Sequence, residues 1–200
     1  DWPCLAGMMD EVCVIKSMYT EAINHDPAAM LFQTGSVIPG RPSMGSWVSY
    51  GLGSENADLP AFVALTSNGT GKGGQPLYDR PWGAGFLPGR FQGVKFRGQG
   101  KPILEIYDPA GVSRAQRRRM LDALGKINGA QAGRFNDPAI ATRIAQYELA
   151  FRMQMSVPDL IDVSNEPRSV LDLYGPEATK GGKYAYNCLL ARRLAERGVR

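Results

Sequence analysis

The sequence predicts an α/β domain. Short apolar runs typical of buried strands occur at residues 12–18 (VCVIKSM), 61–67 (AFVALTS) and 101–107 (KPILEIY). Segments with apolar residues at helical spacing alternate with these runs, and the helix-to-strand connections are short. Apolar residues make up 44% of the chain and charged residues 21%, so the chain can bury a core as a single domain.

The first predicted helix lies within residues 24–36 (NHDPAAMLFQTGS). Asp26 is expected to cap it, because its carboxylate can accept a hydrogen bond from a first-turn amide. Pro27 then occupies a position where its missing N–H costs nothing. The apolar run at residues 30–32 is expected to form the buried face, and Gly35 is expected to end the helix.

Ser43 is expected to cap a second helix, whose glycines then close it. Residues 68–100 are rich in glycine, proline and aromatic side chains and show no sustained periodicity. They predict a long, partly ordered loop excursion from the domain. The apolar face expected for the second helix consists of Met44, Trp47, Val48 and Leu52.

The second half of the chain is predominantly helical. One helix is predicted after Ser113, and another is capped by Asp137 and continues from Pro138. Shorter helices are expected at residues 158–163 and 167–174, and a last one at residues 183–197. The apolar stripes expected to be buried are Met120, Leu121, Leu124 and Ile127 on the first of these helices, and Ile140, Ile144, Tyr147, Phe151 and Met155 on the second.

Zinc and nucleotide sites are not predicted. Three cysteines without C-x-x-C spacing and a single histidine cannot form a zinc site at standard spacings, and the cysteines are expected to be buried free thiols. The segment GTGKGG at residues 69–74 has Gly73 where a phosphate-binding loop needs a hydroxyl, and Thr66 where it needs the first glycine.

Four arginines lie close together in the segment SRAQRRRML, residues 113–121. Such a cluster can bind nucleic-acid phosphates. No aromatic residue alternates with these arginines to stack bases, and the apolar residues of the helix lie on another face. A solvated helix face is therefore favoured, and no nucleic-acid partner is expected.

His25, the only histidine, lies just before the predicted first helix. Imidazole gains and loses protons readily near neutral pH, and a helix N-terminus favours an anion. His25 can thus be a metal ligand, a proton carrier or a donor to an oxyanion. A structural hydrogen bond at the loop is an equally acceptable interpretation, and the residues alone leave these alternatives open.

Both ends of the chain indicate an internal piece of a larger domain. The chain opens on Asp1 without the charged-then-apolar pattern of a signal peptide. At the other end, Gly198 stops a helix, and Val199 and Arg200 are expected to start a strand. No apolar run approaches the ~18 residues of a membrane-spanning helix.

Several stretches resemble one bacterial family. The segment VIKSMYTEAINHDPAAMLFQTGSVIPGRPSMGSWVSYGLGSENADLPAFVALTS is similar to sulfatase-like proteins of the DUF1501 type, a domain of unknown function. FLPGRFQGVKFR, ATRIAQYELAFRMQMSVPDLIDVS and CLLARRLAERGVR resemble it too. The resemblance implies membership of the alkaline-phosphatase superfamily and a sulfatase-like α/β sandwich with a mostly parallel central sheet, incomplete at both ends. Residues 1–200 would then be an internal part of one such domain.

The resemblance also implies a site. Sulfatases have C-x-P-S-R, an apolar run and T-G. Here Pro27, residues 30–32 and the pair Thr34-Gly35 keep that spacing, so that His25 occupies the nucleophile position and Ala29 the arginine position. The implied site residues are His25, also as a metal ligand, with Asn24 and Asp26 as neighbours or orienting groups. The implied cofactor is a divalent metal whose other ligands lie outside this chain.

Two functions follow as hypotheses from the resemblance. The first is a metal-dependent hydrolase that acts on a sulfate or phosphate ester of a small molecule or glycan, and such proteins are commonly exported or periplasmic. The second is a catalytically inactive binding or scaffolding protein with the same fold. It rests on the absence of a cysteine, serine or threonine at the nucleophile position and of an arginine at position 29.

Overall fold

The computed structural model describes residues 6–67, 80–97, 103, 107–135 and 138–200. In these residues the chain forms six α-helices and one two-stranded parallel sheet, which confirms the α/β class. The strands are β1 (Val63–Thr66) and β2 (Val94–Arg97). The helices are α1 (His25–Thr34), α2 (Met44–Leu52), α3 (Arg114–Phe135), α4 (Pro138–Ile161), α5 (Arg168–Tyr174) and α6 (Tyr184–Ala195).

The sheet pairs residues that are distant in sequence. Val63 lies opposite Val94, and Leu65 lies opposite Phe96. The prediction of β1 is confirmed, whereas β2 lies within the stretch that the sequence predicted as a loop. A four-residue strand next to glycines has too few residues to show a period, so its pairing with β1 decides its conformation.

A third segment approaches the other edge of β1. The Arg200 N–H donates to the Ala61 carbonyl at 3.3 Å, whereas the next carbonyl, that of Phe62, accepts from the Val94 N–H at 3.0 Å. Successive carbonyls of an extended chain point to opposite edges, so Arg200 lies on the side of β1 away from β2. Gly198 has a φ of +76°, which turns the chain from α6 toward this edge.

The main core lies where the sheet packs against α4 and α6. Val157 and Leu160 of α4 are fully buried, and Phe96 of β2 lies with them. Leu189 and Leu190 of α6 belong to an adjoining cluster. The other buried members of the main cluster are Leu59, Met153, Leu194 and Val199.

The predicted strand at residues 12–18 is wrong. The structure places no strand there, and Ile15 and Met18 are 64% and 65% exposed. A β-branched run forms a buried strand only beside a partner strand, and the described residues offer it none. The predicted strand at residues 101–107 lies largely outside the described residues. Within it, the structure describes Ile103 and Tyr107, and each of them lies in a bend.

The helix starts were predicted better than the buried faces. Ser43 caps α2 as expected, because its hydroxyl accepts a hydrogen bond from the Ser46 amide. The buried side of α2 is nevertheless its serine side, and Met44, Trp47 and Leu52 are exposed. The Ser46 hydroxyl donates to the Gly83 carbonyl at 3.1 Å, so contacts to a distant turn decide which face is buried.

On α3, Leu121 is buried as predicted, but Met120, Leu124 and Ile127 are exposed. On α4, Tyr147 and Met155 are exposed, and Met153, Val157 and Leu160 face the core instead. The separate helix predicted at residues 158–163 is wrong, because α4 continues through Pro158 to Ile161. The predicted cap Asp137 lies outside the described residues. The predictions of α5 and α6 are confirmed within two residues of their ends.

Replacing Ser43 by alanine is expected to lower the free energy of unfolding by about 1–2 kcal/mol. The variant loses the cap of α2, and the Ser46 hydroxyl loses its buried hydrogen bond of 2.9 Å with the Ser43 hydroxyl. Urea denaturation measures the change. The exposed Ser17→Ala is the control and should stay within about 0.5 kcal/mol of the parent protein. Equal stabilities of the two variants would contradict the assigned cap.

Candidate functional site

The three predicted site residues lie together at the start of α1, but with other roles in the helix than expected. Asn24, not Asp26, is the N-cap, and its side-chain oxygen accepts a hydrogen bond from the His25 amide at 2.7 Å. His25 is the first helical residue and is exposed, and Asp26 is the second and is half-buried. The helix thus begins two residues before Pro27, and the predicted cap at Asp26 is wrong.

The first turn of α1 has few free donors. The His25 amide is bound by Asn24, Pro27 has no N–H, and the Ala28 amide donates to the Asn24 carbonyl at 3.1 Å. The Asp26 amide is the first-turn donor for which the described residues provide no partner. Because the Asp26 carboxylate adds negative charge to the same turn, an anion here would depend mainly on the imidazole of His25.

The Thr34-Gly35 pair of the sequence motif forms the C-terminal end of α1. The Thr34 hydroxyl donates to the Met30 carbonyl at 2.8 Å, and Gly35 adopts a left-handed φ of +71°. Gly35 therefore ends the helix as predicted. Met30 is buried as expected, whereas Phe32 is exposed. The Pro27-to-Gly35 spacing thus corresponds to one helix with His25 at its N-terminal end.

A surface depression of about 920 Å³ runs beside α1. Residues 19–23 form one wall, and Pro27, Leu31 and the turn after the helix form the other. His25 does not line it. Tyr19 and Ile23 are highly exposed, so this depression is open to solvent and leaves the imidazole outside it.

The donors at α1 do not complete a metal centre. In the part of the chain that the structure describes, no three His, Cys, Asp or Glu side chains are placed to hold one ion. Catalytic zinc sites, for comparison, use three protein ligands. His25 and Asp26 supply one nitrogen and one carboxylate donor, which is fewer than such a site requires.

The arginine cluster of α3 binds groups within the protein. The Arg118 guanidinium donates to Glu148 of α4 at 2.8 Å, and the Arg114 guanidinium lies 4.3 Å from the centroid of the Phe151 ring. The Arg117 Nε lies 3.6 Å from the Oδ1 of Asp108. Hydrogen bonds to Glu148 and then Asp122 raise the pKa of Arg118. The predicted solvated face is present at Arg114 and Arg119, which are exposed, whereas Arg117 and Arg118 are half-buried and join α3 to the preceding loop and to α4.

Two of the three cysteines lie among the described residues. Cys13 and Cys188 are unpaired, but Cys13 is exposed, so the expectation of a buried thiol is wrong there. Cys4 lies outside the described residues.

A second cleft of about 380 Å³, which no sequence pattern indicated, lies between the residues before β1, the turn before β2 and α4. Arg90 and Arg152 line it. Its walls come from three segments that are far apart in sequence, so a local pattern cannot reveal it.

The family model described as "Protein of unknown function (DUF1501)" matches residues 1–200. The chain belongs to the DUF1501 family. This match confirms the family part of the resemblance found in the sequence, whereas the placement in the alkaline-phosphatase superfamily stays a prediction. No curated protein and no solved structure matches this DUF1501 chain.

Among the described residues, none of the helices of this DUF1501 chain combines the length and the apolar character needed to span a bilayer. This agrees with the sequence, in which no apolar run is long enough.

Proposed function

We propose that this DUF1501 protein is a sulfatase-like hydrolase of the alkaline-phosphatase superfamily. Its substrate is a sulfate or phosphate ester of a small molecule or glycan, and its site lies at the N-terminal end of α1. The proposal includes a divalent metal ion with His25 as one ligand, and it includes export or a periplasmic location. The remaining metal ligands are not among the described residues, so no chemical step is assigned to the ion.

The exposed imidazole of His25 at the first position of α1 is the main support for this proposal. Two further features support it. The spacing from Pro27 to the Thr34-Gly35 pair is that of the sulfatase motif, and in this chain the spacing spans one capped helix. The helix N-terminus gives positive potential, which favours a sulfate or phosphate group nearby.

The proposed roles follow from the geometry of the first turn. His25 contacts an ester oxygen, and its imidazole would also be one ligand of the divalent metal, which would supply Lewis-acid polarisation of the ester when bound. Asn24 holds the start of the helix, because its side chain binds the His25 amide. Asp26 is proposed as an orienting group because it is the next residue of the same first turn and is half-buried. Because position 25 holds neither a hydroxyl nor a thiol, the proposed hydrolysis does not use the nucleophile of ordinary sulfatases.

The test is His25→Ala in the full-length protein, with hydrolysis of p-nitrophenyl sulfate and p-nitrophenyl phosphate and metal content as readouts. We expect hydrolysis to fall by about 10²-fold or more, as for loss of a positioned acid–base or binding group, and bound metal to decrease. Phe32→Ala is the matched control, because Phe32 is exposed on the same helix but at its other end. Full metal content and full hydrolysis in His25→Ala would overturn the proposal.

The second candidate is a binding or scaffolding protein without catalysis. Ala29 at the arginine position and His25 at the nucleophile position favour it, because neither residue can supply ordinary sulfatase chemistry. Under this alternative the parent protein hydrolyses neither ester but binds an aryl sulfate saturably, and His25→Ala weakens that binding. Measurable hydrolysis by the parent protein decides against this candidate.

A further inference from the structure

The 380 Å³ cleft has an apolar floor and a polar rim. Leu59, Val94 and Leu149 line its interior. Leu59 is nearly fully buried, and the other two pack against the main core cluster, so the floor is rigid. A cavity of this volume lies within the range of small-molecule sites, which are mostly apolar with a few polar groups that orient the ligand.

The charged side chains that line the cleft are both cationic. Arg90 extends from the turn before β2, and Arg152 extends from α4. No aspartate or glutamate is among the described residues that line it. Three side-chain amides also line the cleft, those of Asn56, Gln92 and Gln146. The Asn56 amide is hydrogen-bonded to backbone groups, its nitrogen to the Arg197 carbonyl and its oxygen to the Asp58 and Leu59 amides. The cleft is thus lined by two arginines together with an apolar surface.

Each guanidinium group has an ordering contact within the protein. The Arg152 Nε donates to the Ala57 carbonyl at 2.7 Å, and the described part of the chain provides no hydrogen-bond acceptor for its terminal nitrogens. The Arg90 guanidinium stacks 4.6 Å from the centroid of the Phe91 ring. That ring packs edge-on against Tyr50, with 5.4 Å between the ring centroids. Such preorganisation reduces the entropy lost when a ligand binds.

The nearest carboxylates neutralise this charge only in part. Asp58 lies 3.6 Å from the Nε of Arg152, but it is exposed and does not line the cleft. Glu148 also interacts electrostatically with Arg152, but its hydrogen bonds go to Arg118, which lowers the Glu148 pKa. No carboxylate among the described residues forms an ion pair with Arg90.

We propose that this cleft binds a small organic anion, with a carboxylate, sulfate or phosphate group between Arg90 and Arg152 and an apolar body on Leu59, Val94 and Leu149. Guanidinium groups bind such oxyanions through charge-assisted hydrogen bonds. The apolar floor selects organic anions over inorganic ones. This site is distinct from the end of α1, because Asn24, His25 and Asp26 do not line the cleft, so it stands whether or not the protein is a hydrolase.

Isothermal titration calorimetry with the full-length protein tests the site. The ligands are benzoate, phenyl sulfate and phenyl phosphate, with benzyl alcohol as the neutral counterpart. We expect saturable binding of at least one anion in 0.15 M salt and none of the alcohol. The tightest of the three anions identifies the preferred group. Arg90→Gln and Arg152→Gln should each weaken that binding by about tenfold or more, because each removes charged hydrogen bonds.

Matched variants distinguish binding in the cleft from a general effect of positive charge. Arg168→Gln removes the same charge from an arginine that is 87% exposed on α5, and it should leave the affinity unchanged. Ala145→Phe keeps both arginines but fills the cleft from an exposed helical position, so it should abolish binding without a change in fold. Far-ultraviolet circular dichroism confirms the fold of each variant.

Three results would overturn this inference. The first is that the parent protein binds none of the three anions. The second is an equal loss of affinity in Arg168→Gln, which would indicate an effect of net charge. The third is binding that His25→Ala abolishes while the cleft variants retain it, which would assign the anion to α1 and support the proposed function instead.

Discussion

Phe96→Ala is expected to destabilise the protein by about 4 kcal/mol, because it removes a large buried ring and leaves a cavity. Phe96 is only 1% exposed and belongs to the main cluster, between the sheet and α4. It also lies in β2, opposite Leu65 of β1, so its loss affects both layers of the fold. Val157 and Leu160 on α4 cannot move into the space without distorting the helix.

Urea denaturation followed by tryptophan fluorescence and circular dichroism measures this loss. Phe86→Ala is the matched control, because it removes the same side chain where the ring is 68% exposed and contacts mainly Trp47. The control should lose less than about 1.5 kcal/mol, which is the range of one aromatic pair. Similar losses in the two variants would show that Phe96 is not a core residue.

Glu166→Gln is expected to lower the free energy of unfolding by about 3 kcal/mol, as for removal of one partner of a buried ion pair. The Glu166 side chain is 8% exposed and pairs with both Arg192 and Arg193 of α6. Arg193 also donates to the Leu160 carbonyl at 2.8 Å, so the same guanidinium joins α6 to the end of α4. Glutamine keeps the shape but removes the charge that pairs with both guanidinium groups, so that among the described residues Arg192 keeps only the pair with Glu196 and Arg193 keeps none.

The same group predicts a pH dependence. Burial raises the pKa of Glu166, but the hydrogen bonds from Arg193 and Arg192 outweigh burial and hold the pKa below its ordinary value of 4.5. The folded state therefore binds this proton less readily than the unfolded state. Its contribution to stability is complete above pH 4.5 and is lost as the pH falls below that value, toward the lowered pKa of the folded state.

The control for Glu166→Gln is Asp172→Asn, which breaks the exposed ion pair between Asp172 and Arg168 on α5. An exposed pair at this spacing contributes about 0.3–0.5 kcal/mol, so the variant should unfold almost like the parent protein. The difference in unfolding free energy between Glu166→Gln and its parent should be smaller at pH 4 than at pH 7, and it should shrink further as the pH falls toward the lowered pKa of the folded state. A constant difference between them would contradict the assigned ion pair.

The sequence predicts the location of the site residues but not their roles in the helix. The sequence placed Asn24, His25 and Asp26 at one helix start, and the structure has them there. It assigned the cap to Asp26 instead of Asn24, because either side chain can accept from a first-turn amide and only the helix boundary distinguishes them. The cleft of Arg90 and Arg152 was beyond local patterns, since the loop before β1, the turn before β2 and α4 meet only in the folded chain.

By itself the sequence determined the family, the α/β class and most helix boundaries. Ser43 caps α2 and Gly35 ends α1 because hydroxyl capping and left-handed glycine involve only residues within one turn. The tertiary structure decided which surfaces are buried. The serines of α2, the inner face of α4 and the short strand β2 are buried or paired through partners elsewhere in the chain. Burial depends on those distant contacts, and a local pattern of apolar residues does not specify them.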